Sequence, residues 1–188
     1  IRPSRGLGDV YKRQALEVLS TGVVWTFAPA LSVPRNDRWG RTYEGFAEEP
    51  ELVGQLGSAF VKGLQGEGDE FLDENHILAT SKHFAGDGGT FDGIDQGDVR
   101  LSKEEFYSLH VSPYTPAIDA CTQTIMSSFN SFQGKKLHGD KSLLTDLLKD
   151  EMGFDGFIVG DWNGHGQVKG CSNESCPEAF NAGVDIYM

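Results

Sequence analysis

Asp161 and Trp162 are the residues whose setting most directly suggests chemistry. They close the segment Gly156–Phe157–Ile158–Val159–Gly160–Asp161–Trp162. Three apolar residues, two of them β-branched, read as a short buried strand that ends in an acid and an aromatic platform. In parallel α/β proteins, reactive groups sit at the carboxyl ends of strands. An indole offers a flat apolar face for a pyranose, and a carboxylate beside it is suited to attack on an anomeric carbon. The competing reading is an Asp that only caps the next helix.

A second set of reactive side chains follows an earlier apolar run. Ile77–Ser81 leads into Lys82–His83–Phe84–Ala85–Gly86–Asp87–Gly88–Gly89–Thr90. Lys82 and His83 can both donate hydrogen bonds, which suits several hydroxyls of one sugar ring. The alternative is a buried ion-pair network with Asp87. Arg41 and Glu44 are spaced to pair, either to aim Arg41 at a ligand or for structure alone. Trp39 reads first as core packing. His110, His138 and His165 read as surface or loop-packing residues, and His165 alone lies near Asp161 in sequence.

These residues must be positioned by regular elements, and the chain alternates between two patterns. Val23–Pro29, Ile77–His83, Thr124–Asn130, Phe157–Asp161 and Val184–Met188 read as short strands. Leu52, Leu56, Phe60, Val61 and Leu64 mark one helical face between Pro50 and Gly66. Ser102 and Glu105 predict a capping box. Ser142 to Met152 predicts a helix closed by Gly153. Strand–helix alternation implies a parallel sheet or barrel.

Composition narrows the partners. The 188-residue chain has a net charge of −12, which disfavours nucleic acid and anionic membrane as partners. No apolar run is long enough to span a bilayer. The first fourteen residues carry Arg2, Arg5, Lys12 and Arg13 against the single acid Asp9, without apolar periodicity. Residues 1–14 are therefore expected to be a foreign or disordered extension, and 15–188 the folded domain. Cys171 and Cys176 bracket a short loop and read equally as a disulfide or as two free thiols; Cys121 stands alone. No His lies at zinc-ligand spacing, so neither metal nor cofactor is expected.

The ordered motifs Thr26–Phe27–Ala28–Pro29–Ala30–Leu31, Arg38–Trp39–Gly40–Arg41–Thr42–Tyr43–Glu44, Lys82 to Thr90 and Gly156 to Trp162 together resemble glycoside hydrolase family 3. The resemblance runs from about Ala15 to Met188. It implies an α/β fold, a partial (β/α)8 TIM-type barrel covering about strands 3 to 7, with the first strands and a second domain missing. It also implies a retaining two-step mechanism on β-glucans or β-glucosides. Asp161 then looks like the nucleophile, and Arg41, Lys82 and His83 like the residues that hold the terminal glucose. Trp162 looks like one wall of the sugar clamp, and Met126 lines the same pocket. Phe129 replaces a Tyr found in some relatives, so that hydroxyl is lost. The segment Gly88 to Ile94 with Asp161 to Gly166 is most similar to the exo-1,3/1,4-β-glucanase branch. The β-N-acetylhexosaminidase branch uses a His two residues after an Asp; here the stretch is Asp92–Gly93–Ile94, and Ile94 transfers no proton. The resemblance places the acid/base Glu on the missing second domain of the same polypeptide, leaves the isolated chain inactive, and implies a periplasmic or extracellular protein. Two other classes compete: a non-catalytic sugar-binding barrel, and a lyase or aldolase that uses Lys82 as a Schiff base. Asp161 at a strand end disfavours the first, and the lack of a phosphate-binding loop the second.

Overall fold

The computed structural model describes residues 4–188. Its centre is a parallel sheet whose strands follow one another in chain order. β1 (Thr80–Phe84) pairs with β3 (Thr124–Ser127), and β3 pairs with β6 (Phe157–Val159). The register sets Ser81 beside Ile125, and Ile125 beside Ile158. Single parallel bridges extend the sheet on both sides: Trp25 to Leu78 and Ala30 to Lys82 on one flank, Val159 to Ile186 on the other. Five of the expected strands are thus present in the expected order, with the two outermost reduced to bridges. Pro29 has no N–H to give, and the flanking hydrogen bonds run Thr80 N–H to Ala28 C=O and Lys82 N–H to Pro29 C=O. This is the α/β, parallel-sheet architecture expected of a barrel segment.

Helices cover the outside of the sheet. α2 (Pro50–Gln65) starts on Pro50 and ends at Gly66, whose φ of +76° suits glycine. Of its expected face, Val61 and Leu64 are buried and Leu56 and Phe60 partly buried, while Leu52 is exposed; Val53, Gly54 and Gly57 complete the buried side. The glycines explain that addition. A Cβ on Gly57 would lie 2.2 Å from Leu31 Cδ2, and one on Gly54 3.1 Å from Pro116 Cγ. Close approach of backbone thus joins the apolar side chains in setting the contact.

α3 (Lys103–Phe106) opens on the expected capping box. The Ser102 hydroxyl accepts from the Glu105 N–H, and the Glu105 carboxylate accepts from the Ser102 N–H. It continues as a wide turn over Tyr107–Val111 and then α4 (Tyr114–Asp119). A helix over Ser142–Glu151 buries Leu143, Leu144, Leu147 and Leu148, and Gly153 follows at φ +73°. α5 (Pro177–Ala182) closes the chain order. A small ribbon of β2 (Asp98–Val99), β4 (Ser131–Phe132) and β5 (Lys135–Lys136) lies in the loops beyond the carboxyl ends of the main strands.

The expectation for residues 1–14 meets a different picture in the described part. Ser4–Leu19 forms α1 and packs along α2. The Tyr11 and Phe60 rings lie 4.2 Å apart, and Gly63 leaves room for the Tyr11 Cβ, which a side chain there would meet at 2.4 Å. Before Ala15 the helix docks through one aromatic pair, one glycine and the Lys12–Glu70 ion pair, so no apolar periodicity marks it in sequence. Residues 1–3 lie outside the described residues.

Candidate active site

The carboxyl ends of β1 and β6, with the segment that enters the short turn Thr42–Glu44, bring Arg41, Glu44, Lys82, His83, Asp87 and Asp161 together. Arg41 and Glu44 form the pair their spacing suggested. Arg41 Nε donates to Glu44 Oε1 at 2.8 Å, and Nη2 donates to Oε2 at 2.9 Å. Those hydrogen bonds hold the Glu44 carboxyl below its ordinary pKa.

His83 is fixed from both sides. Its Nδ1 lies 2.8 Å from Asp87 Oδ2, and its Nε2 lies 3.0 Å from Arg41 Nη2. A guanidinium can only donate, so Nε2 accepts and the ring proton sits on Nδ1, facing Asp87. Asp87 is buried. It also accepts from the Ser32 hydroxyl at 2.6 Å and from the Gly88 N–H at 3.0 Å. Burial pushes the Asp87 carboxyl up, and His83, Ser32 and Arg41 outweigh it, so Asp87 lies below the usual carboxylate range.

Lys82 is half-buried, and its ammonium has no hydrogen-bonded partner among the described residues. Burial lowers its pKa, opposed chiefly by Glu44 and further by Asp161 and Asp87. The ammonium thus faces three carboxylates without being locked to any one.

Asp161 stands two residues beyond Val159, the last residue of β6. Its Oδ1 accepts the Trp162 N–H at 2.7 Å, and its Oδ2 faces His83 Nε2 at 3.6 Å. Trp162 is 70% exposed, and Met126 is buried on β3 opposite Val159. Trp39 is buried in the packing role expected of it, its indole N–H reaching Asp95 Oδ1 at 3.2 Å. His165 is buried too, with Nε2 donating to the Asn173 carbonyl at 2.8 Å and its ring edge-on to Tyr187, so it serves the loop. Phe129 uses its carbonyl to accept from Lys136 Nζ at 2.7 Å.

Two groups escape sequence reasoning. Ser32 lies 55 residues from its partner Asp87, and no local pattern ties them. His138 reads in sequence as a surface or loop-packing residue; it is fully buried, and its Nε2 accepts the Asp161 N–H at 2.9 Å, a partner that sequence does not reveal. The loop after Asp161 is closed by a Cys171–Cys176 disulfide, which answers the choice between bridge and free thiols. Cys121 is free and exposed. No helix among the described residues is long and apolar enough to cross a membrane.

Known proteins resemble this chain in sequence and fold. The model of the glycosyl hydrolase family 3 N terminal domain matches residues 7–188. A β-xylosidase of Formosa agariphila is 40% identical over 93% of this chain and 25% of its own length. The periplasmic β-glucosidase of Salmonella typhimurium is 34% identical over 93% of this chain and 23% of its own length. The crystal structure of an exo-1,3/1,4-β-glucanase from a Pseudoalteromonas species superposes over 100% of this chain and 24% of its own, with a TM-score of 0.97 and 47% identity. The chain thus spans about a quarter of the length of the curated relatives it matches. With the family model covering nearly every residue, the chain belongs to glycosyl hydrolase family 3, in the N-terminal domain of that family.

Proposed function

We propose that this chain carries the nucleophile half of a retaining hydrolase that removes terminal non-reducing β-D-glucosyl residues from β-glucans or β-glucosides. One observation carries the assignment of Asp161. Of the three site carboxylates, Glu44 is clamped by Arg41 and Asp87 by His83 and Ser32, while Asp161 has no basic group closer than 3.6 Å among the described residues. An unclamped carboxylate at a strand end is free to attack. In the first step an Asp161 oxygen bonds to the anomeric carbon as the glycosidic C–O bond breaks, and the leaving oxygen takes a proton. In the second, water attacks the same carbon, the bond from that carbon to the Asp161 oxygen breaks, and the water proton returns to the group that gave its proton in the first step.

Arg41, Lys82 and His83 bind sugar hydroxyls in this reading, with Trp162 and Met126 forming apolar walls. None of them is the acid. His83 Nε2 carries no proton, and Glu44 and Asp87 are held ionised. The proton donor therefore comes from outside this set, and a second domain of the same polypeptide is the proposed source. Without it, cleavage of a poor leaving group is slower by about 10²–10⁴-fold. The disulfide and the likeness to a periplasmic β-glucosidase support a periplasmic or extracellular site of action.

The test is covalent trapping. Incubation with 2,4-dinitrophenyl 2-deoxy-2-fluoro-β-glucoside, whose leaving group needs no proton, is expected to add one sugar at Asp161 by peptide mapping. Asp161→Asn should stay folded and unlabelled. A sugar on any other carboxylate sinks the assignment. The 40% identical β-xylosidase favours a second substrate class, so the xyloside analogue belongs in the same assay; faster labelling by it would move the specificity to pentosides.

A further inference from the structure

We propose that His138 is a positioning residue: its neutral imidazole is the template around which the Gly160–Gly164 loop folds, and it fixes the backbone of Asp161. The inference rests on the reading of Asp161 as nucleophile. His138 lies in the turn Leu137–Gly139, which follows β5. Its Nε2 accepts the Asp161 N–H at 2.9 Å. An acceptor nitrogen carries no proton, so the ring proton is on Nδ1. That atom is buried and makes no hydrogen bond of good geometry; the Ser128 main chain is the polar group that acts on it.

The loop is shaped to the ring. A Cβ on Gly164 would lie 2.3 Å from His138 Cε1, and one on Gly160 3.4 Å from Cδ2. Asn163 between them is left-handed, with φ +52°, so the chain turns back over the imidazole. Asp161 and Trp162 stand at the crest of this turn. The Asp161 carboxylate accepts one main-chain bond, from Trp162, and the Asp161 amide finds its acceptor in His138. The side chain is left unclamped while the backbone beneath it is held.

The hold lasts only while the ring is neutral. Burial pushes the His138 pKa down to about 3, and the facing groups His165, Lys136 and His83 push in the same direction. The ring therefore keeps its acceptor from neutral pH down to pH 5. This assigns function to a residue that touches no substrate. A misplacement of about 1 Å at a reacting group costs on the order of 10²-fold in rate.

The experiment compares the chain with His138→Gln, whose amide oxygen can accept the same N–H, and with His138→Leu, which cannot. In long-range 1H–15N spectra of histidine-labelled protein, His138 should show a protonated Nδ1 and a bare Nε2, unchanged from pH 8 to pH 5. The maximal rate of Asp161 labelling by the fluoroglucoside should fall about 10–100-fold in His138→Leu, with the half-saturating concentration little changed, and return to within about threefold of the original in His138→Gln. A protonated Nε2, equal labelling rates in all three proteins, or a Gln variant no better than Leu would overturn the proposal. If the unmodified chain takes no label at Asp161, the nucleophile reading fails by itself. Amide exchange at Asp161 then decides the role of His138: about tenfold faster in His138→Leu alone supports it, and equal exchange in all three proteins refutes it.

Discussion

The two ends of the parallel sheet are built from opposite materials. At the amino ends of β1 and β3 one neutral side chain, Gln65, satisfies the backbone. Its Oε1 accepts the N–H groups of Ala79 and Gln123, and its Nε2 donates to the Cys121 carbonyl at 2.7 Å. Just inside, the Thr80 and Thr124 hydroxyls bond each other and take the Trp25 indole N–H. Every group named there finds its partner, and none is charged. At the carboxyl ends, six ionisable side chains crowd together; Lys82 has no fixed partner and Asp161 no close basic one. The first end commits its polar groups to stability. The second leaves two of them uncommitted, which costs stability and keeps them available to a ligand.

Breaking the neutral end should have the largest effect on folding. Gln65→Leu leaves the buried Ala79 N–H and the partly buried Gln123 N–H without an acceptor, and each orphan costs about 1–3 kcal/mol. A loss of about 3 kcal/mol is expected in urea unfolding, equal at pH 5 and pH 8, since no titrating group is involved. The Cys121 carbonyl keeps a donor in Gln123 Nε2 at 3.1 Å, which limits the damage. A change under about 0.5 kcal/mol would mean that water or strand shifts replace the clamp.

The charged end should instead reveal itself through pH. His110 is buried beneath the Asp87 loop, and a Cβ on Gly89 would lie 2.1 Å from its Nε2. Burial pushes its pKa down to about 4, against the pull of Asp87. The unfolded chain takes up this proton near pH 6.5, the folded one only near 4. Stability from neutral His110 is therefore complete above pH 6.5 and is lost as pH falls toward 4, by at most about 3 kcal/mol. His138 and the depressed carboxyls of Asp87 and Glu44 act in the same direction, the carboxyls below about pH 4. His110→Phe should flatten the pH 6.5–4 slope without moving the loss below pH 4. An unchanged slope would assign it to His138 alone.

The contrast also explains what the sequence could disclose. The Arg41–Glu44 pair is three residues apart, and the Ser102–Glu105 box likewise, so spacing alone reveals both. The Asp161–Trp162 strand end and the Lys82–His83 pair stand out because charge follows an apolar run. What stays hidden depends on distant partners that carry no local pattern: Ser32 on Asp87, His138 on Asp161, Gln65 on Cys121. Such a hydrogen bond leaves no periodicity, and its sequence separation is set by the fold. α2 is legible as a helix and in most of its facing, but not in the part that Gly54 and Gly57 bring into contact, because hydropathy gives glycine no weight. The start of α1 is hidden for a related reason, since a ring pair, a glycine gap and the Lys12–Glu70 ion pair dock it.

The smallest expected effect on stability is also the most discriminating, and it falls on Lys82. Its side chain is held half out of water beside Arg41, and no carboxylate closes on it to offset that cost. Lys82→Met keeps the length of the stem, removes the charge and buries an apolar group in its place. Folding should gain between zero and about 1 kcal/mol, read as a shift in the urea midpoint. In the trapping assay the same variant should raise the half-saturating concentration of the fluoroglucoside, because a hydroxyl partner is gone, while the pH profile of labelling keeps its limbs. A gain in stability with a loss of binding is the signature of a group kept for its ligand. If Lys82→Met loses stability by more than about 1 kcal/mol, the ammonium is a working member of the Glu44–Asp87–Asp161 charge balance. The charged end would then be a structural network like the neutral one, built from ions instead of amides.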